Sequence, residues 1–120
     1  MTDVRGEEAA ERARVALARG AQLAARLAEL RDKSPANPAA VEQATRSAHE
    51  ALGHAERALW HAAAAHHRAA ELHRRLADLL DQVGRPDGAA EHRRLADRDD
   101  EAGRADTDAL REHVARAEEP

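Results

Sequence analysis

"HHRAAELHRRLADLLDQVGRPDGAAEHRRLADRDD", residues 66–100, reads as two helices folded about one turn. Up to Val83 the apolar residues recur three and four positions apart, the helical period, and Gly84 suits the residue just past a helix end. "RPDG" then makes the turn, and helical periodicity resumes from Asp87. Two stripes at seven-residue spacing lie on either side of it: Thr45, Leu52, Leu59, His66, His73 and Leu80 before, His92, Asp99, Asp106 and His113 after. An antiparallel hairpin makes the residue numbers of facing partners sum to a nearly constant value. This predicts Leu80 against His92, His73 against Asp99, His66 against Asp106, and Leu59 against His113.

Outward from the hairpin, the earlier helix continues back to Pro38. The stretch "DKSPANPAA" interrupts periodicity and offers Asn37 as N-cap with Pro38 at the first helical position. A further periodic segment precedes it. The expected helices are about 7–31, 38–83 and 87–117, in a single domain suited to 120 residues. The middle one, at 1.5 Å per residue, is about 70 Å long. Its heptad line runs through Val41, Ala44, Ala48, Ala51, Ala55, Ala58, Ala62, Ala65, Ala69, Leu72, Leu76, Leu79 and Val83, the pattern of a coiled-coil seam. The first helix shows Ala9, Ala13, Ala16, Gly20, Leu23, Leu27 and Leu30, so Leu23, Leu27 and Leu30 are expected against Ala44, Ala48 and Ala51, large against small.

The fold class is therefore all-α: a three-helix antiparallel coiled-coil-like bundle around a long, alanine-rich central helix. About a quarter of the chain is alanine, the only aromatic is Trp60, and isoleucine is absent. A buried leucine contributes about 1.5–3 kcal/mol and alanine far less, so the core is slender. The outer helices each reach only part of the central one. Its two ends would then be two helices thick, and a twofold homodimer is expected to cover the faces left wet. Trp60 falls opposite the heptad line, as an anchor for another protein or as a cover where the outer helices overlap.

Composition excludes several function classes. Charged residues make up 35 % of the chain, yet net charge is only −4, so the signs are interspersed and no uncompensated basic patch for nucleic acid is expected. No apolar run approaches a membrane span, the charged start "MTDVRGEEAAERAR" is no signal peptide, and a cytoplasmic location is the default. There is no cysteine, hence no disulfide, thiolate metal site or thiol nucleophile. Ser34 and Ser47, the only serines, have no evident base–acid arrangement, and no glycine loop suits a phosphate. The chain is not expected to be an enzyme or to carry a cofactor.

The histidines leave two readings. In one, His66 and His73 facing Asp99 and Asp106 are half-buried polar contacts that align the hairpin of a self-associating, structural or protein-interaction module. In the other, His66, His73, His92, Asp99 and Asp106 make a metal-binding or pH-responsive bundle. A neighbouring carboxylate favours protonated imidazole, so such pairs should stabilise at mildly acidic pH and fade as pH rises. His66 and His73 lie about 10 Å apart along a helix, too far for one ion to take both. No histidine has the Glu three positions earlier that a di-iron bundle uses. Glu50 with His54 and His67 with Glu71 are i,i+4 pairs that suit a solvated face, and His54 and His61 fall on another face than the stripe.

"LLDQVGRPDGAAEHRRLAD" resembles the inter-helix turn of a tetratricopeptide repeat, with Val83 and Gly84 before the turn and Ala89 and Ala90 opening the second helix. The resemblance covers one hairpin, with no second copy, and implies shared helix–turn–helix chemistry. "AAELHRRLAD" (69–78) and "AAEHRRLAD" (89–97) nearly repeat, too closely spaced for a solenoid. Segment 60–98 is similar to short, uncharacterised Ala/Arg/His-rich helical proteins of GC-rich bacteria, a resemblance that implies no activity and transfers no functional residue. The same bacterial origin is suggested by arginine replacing lysine almost throughout.

Overall fold

The computed structural model describes residues 4–119. The first three residues of the charged start lie outside them. Three helices follow one another: α1 (Val4–Asp32), α2 (Pro38–Gln82) and α3 (Pro86–Glu118). Among the described residues no helix is long and apolar enough to cross a membrane.

Local chemistry sets the boundaries. The Asn37 side chain accepts from the Ala40 backbone N–H at 3.1 Å and Pro38 occupies the first turn, so α2 starts where the sequence signals it. At the other end Gly84 takes φ +74°, and the Arg85 and Gly84 N–H groups donate to Leu80 and Asp81 carbonyls at 2.8 and 3.2 Å. This double bond past a left-handed glycine is a Schellman stop, and it turns the chain back into α3.

α2 is the axis of the molecule, with both outer helices antiparallel to it. α1 lies along its first half and α3 along its second, and they scarcely touch each other. The molecule measures 73 × 25 × 13 Å, with a radius of gyration of 20.2 Å against about 14 Å for a compact chain of this length. The apolar core sits where all three helices overlap. It comprises Ala10, Ala13 and Leu17 of α1 with Ala55 and the fully buried Leu59 of α2, edged by Leu52, Ala62, Ala109 and Leu110.

The buried line of α2 departs from the expected heptad. Ala48 and Ala55 lie inward as expected, but the line continues through Leu59, Ala63, His66, Ala70 and Ala77. Leu72, Leu76, Leu79 and Val83, expected inside, are exposed. A strict heptad drifts about 20° per repeat around a straight helix. Here the steps Ala55–Leu59–Ala63–His66 are four, four and three residues, an eleven-residue repeat that cancels the drift where α2 passes from α1 to α3. In α1, Ala13, Gly20 and Leu27 are buried as expected, whereas Leu23 and Leu30 are half exposed and Ala10 and Leu17 replace Ala9 and Ala16. At one level large meets small with the roles exchanged: Leu52 of α2 fills the space over Gly20, where an added Cβ would lie 2.8 Å from its Cδ2.

A histidine–aspartate seam as the candidate functional site

Below the apolar core, the inward heptad positions of α2 change from Leu52 and Leu59 to His66 and His73. The Gly84 turn brings the corresponding stripe of α3 against them. Both expected couples form: His73 Nε2 lies 3.7 Å from Asp99 Oδ2, and His66 Nε2 lies 3.8 Å from Asp106 Oδ2. The imidazoles also reach to the next level. His66 Nδ1 stands 3.4 Å from Asp99 Oδ1, so Asp99 bridges the two histidines.

Two other expected pairs are corrected. His92 meets His73 rather than Leu80: their Nδ1 atoms are 2.9 Å apart and the rings stack with centroids at 5.1 Å. Leu80 instead packs toward Gly88, its Cδ1 3.3 Å from where a Cβ there would lie. His113 meets Glu56 rather than Leu59, Nε2 to Oε1 at 3.0 Å, because Leu59 is absorbed in the core with α1.

The result is one continuous polar line, His92–His73–Asp99–His66–Asp106, closed by Arg14 of α1 on Asp106 Oδ1. Its inner end is dry: Asp106 is 1 % exposed and His66 6 %. Asp106 Oδ2 is buried without a hydrogen-bond partner, and the atom that faces it is His66 Nε2. Buried polar atoms are almost always satisfied, so this unpaired oxygen marks the point where the seam lacks a donor. Arg14 Nε is also buried without a partner. Arg14 was not legible among the many arginines of the chain, since nothing local distinguishes it. The same holds for Glu56.

A second, more exposed network flanks the line. His67 Nδ1 lies 3.2 Å from Asp100 Oδ1, with its ring over Gly103, where a Cβ would come within 2.9 Å. Arg74 bonds both Asp100 and Asp97, and Arg93 bonds Asp78 and Asp81. The Arg74 hydrogen bond holds the Asp100 carboxyl below the usual carboxylate range, with His67 adding to it and partial burial opposing it. Of the i,i+4 pair His67 and Glu71, His67 turns to Asp100 and Glu71 to Arg75 at 2.7 Å. His54 accepts from Arg57 at 3.1 Å, and His61 is exposed. Trp60 is exposed and, with Leu110 and Val114, lines a shallow groove between α2 and α3.

Chemically, the seam can hold and exchange protons. Metal ligation is a poorer match: among the described residues no three histidine or carboxylate side chains converge on a common point. Comparison of the chain with protein-family models, with curated proteins and with solved structures finds no match in any of the three, so the reading of the seam rests on its geometry.

Proposed function

We propose that this chain is a non-catalytic, pH-responsive helical bundle whose α2–α3 seam tightens when it takes up a proton at His66. The observation that carries this is the unpaired, buried Asp106 Oδ2 facing His66 Nε2 at 3.8 Å. A neutral imidazole has one N–H and can serve Asp99 or Asp106; the imidazolium has two and serves both. Charge points the same way. The line holds two carboxylates, Asp99 and Asp106, against one guanidinium, Arg14, so one added proton neutralises it. Histidine is the side chain that changes charge between about pH 5 and 8.

The His73–His92 pair sets a limit. One Nδ1 must donate and the other accept at 2.9 Å, so charging both rings puts two N–H groups face to face. The seam thus gains from its first proton and loses from a later one.

The test is unfolding of the intact chain at about pH 8 and about pH 5.5, beside His66→Gln and an exposed control, His61→Gln. The sign follows from the binding: stability rises as pH falls through the imidazole range, and is lost again as pH rises. The gain should vanish in His66→Gln and survive in His61→Gln. An unchanged pH dependence in His66→Gln would refute the proposal.

A second reading, self-association, is favoured by a separate observation. Leu72, Leu76, Leu79 and Val83 form an exposed apolar stripe on the half of α2 that α1 does not reach.

A further inference from the structure

The contact of His73 with His92 fixes where one proton sits. Their Nδ1 atoms lie 2.9 Å apart. In a five-membered ring with bonds of about 1.33 Å, a nitrogen stands about 1.1 Å from the centre. Two such rings joined nitrogen to nitrogen have centres 5.1 Å apart, the separation observed. Both nitrogens therefore lie on the line between the ring centres, each with its in-plane lone pair or N–H aimed at the other. Two lone pairs would repel there, and so would two N–H groups, so the neutral pair holds one proton between them.

Asp99 decides which ring carries it. His73 Nε2 faces Asp99 Oδ2 at 3.7 Å and turns an N–H toward that carboxylate. A neutral His73 then has a bare Nδ1, and the shared proton belongs to His92 Nδ1. The outer nitrogen, His92 Nε2, is left with a lone pair. His92 is half-buried, but this atom is not shut away: among the described residues the buried side-chain atoms without a partner are Arg14 Nε and Asp106 Oδ2. It opens to solvent.

We propose that His92 Nε2 is a nucleophilic nitrogen that accepts an acyl group from an uncharged activated donor, an anhydride or activated ester, with His73 as its base and Asp99 orienting that base. A nucleophile within hydrogen-bond reach of a base that a third group orients is the general pattern of activation. The Nε2 lone pair forms a bond to the carbonyl carbon, the bond from that carbon to the leaving oxygen breaks, and the oxygen departs with the electron pair. The Nδ1 proton of the acylated ring passes to His73 Nδ1. His73 becomes an imidazolium beside Asp99, so acylation charges the outer seam without a change of pH.

Charge selects the donor. The line holds Asp99 and Asp106 against one guanidinium, Arg14, through which α1 reaches only its far end. Arg93 and Arg94, next to His92 in the chain, are taken by Asp78, Asp81 and Glu91. Neither is free to hold an anionic phosphoryl donor.

The probe is diethyl pyrocarbonate at trace level on the intact chain at about pH 7.5, where imidazoles are mostly neutral, with the label located by peptide mass spectrometry. His92 should be labelled at least about threefold faster than the more exposed His49 and His61. Nitrogen NMR of the native chain should place its proton on Nδ1. His73→Leu then separates a base from a mere cover. Losing the ring uncovers His92, so a cover alone predicts faster labelling. The proposal predicts labelling at least about threefold slower, with His49 and His61 as internal standards and helicity unchanged. His92 labelled no faster than His61, its proton on Nε2, or faster labelling in His73→Leu each overturn the proposal. Should that variant lose helix, the native rate and proton position still decide. None of these readouts involves His66 or Asp106, so the pH response proposed for them stands or falls separately.

Discussion

The two halves of α2 are held by different physics although much of their buried line is the same small residue. Ala48 and Ala55 line the half under α1, and Ala70 and Ala77 the half under α3. What differs is the position between them, Leu52 and Leu59 above, His66 and His73 below. The upper half is joined to α1 by apolar contact and a glycine notch, which bind no proton. The lower half is joined by imidazoles and carboxylates, and on the proposal above its strength follows pH. On that proposal one continuous helix couples a fixed joint to an adjustable one.

The largest break in this contrast should come from the fixed joint. Leu59→Ala removes a fully buried side chain from the overlap of all three helices and should cost about 2–5 kcal/mol in chemical denaturation, equally at acidic and neutral pH. Gly20→Ala should cost about 1 kcal/mol net, overpacking against the movable Leu52 Cδ2 being partly offset by alanine's helix propensity, with Leu52→Val in the same chain restoring part of it. Failure of the second change to compensate would mean that Gly20 is not kept small by Leu52.

The adjustable joint should respond to pH instead. Asp106→Asn keeps the shape of the side chain and removes the charge that invites a proton onto His66, so its cost, about 1–3 kcal/mol, should be accompanied by a flatter profile between about pH 5.5 and 8. The smallest effect belongs to the exposed rim. Arg74 holds Asp100 below the ordinary carboxylate range, so this contribution is present above the unfolded carboxyl value and lost as pH falls through the folded one. Arg74→Ala should move the Asp100 titration upward in an NMR pH series and leave the response near neutral pH unchanged.

How much of this is legible in the residues themselves varies by level. Asn37–Pro38 and Gly84 announce the helix ends because capping is local chemistry. The pairing of His66 and His73 with Asp106 and Asp99 also follows from the chain, since a tight turn leaves an antiparallel hairpin little freedom of register. Which stripe of α2 faces inward does not follow. Its candidate stripes are mostly alanine, and alanine gains too little by burial to mark one side as the core. The four-four-three step at Leu59 and Ala63 is therefore a tertiary decision, made where the central helix exchanges one partner for the other. So is Arg14, brought to Asp106 from 92 residues away only because α1 and α3 overlap around the same leucine.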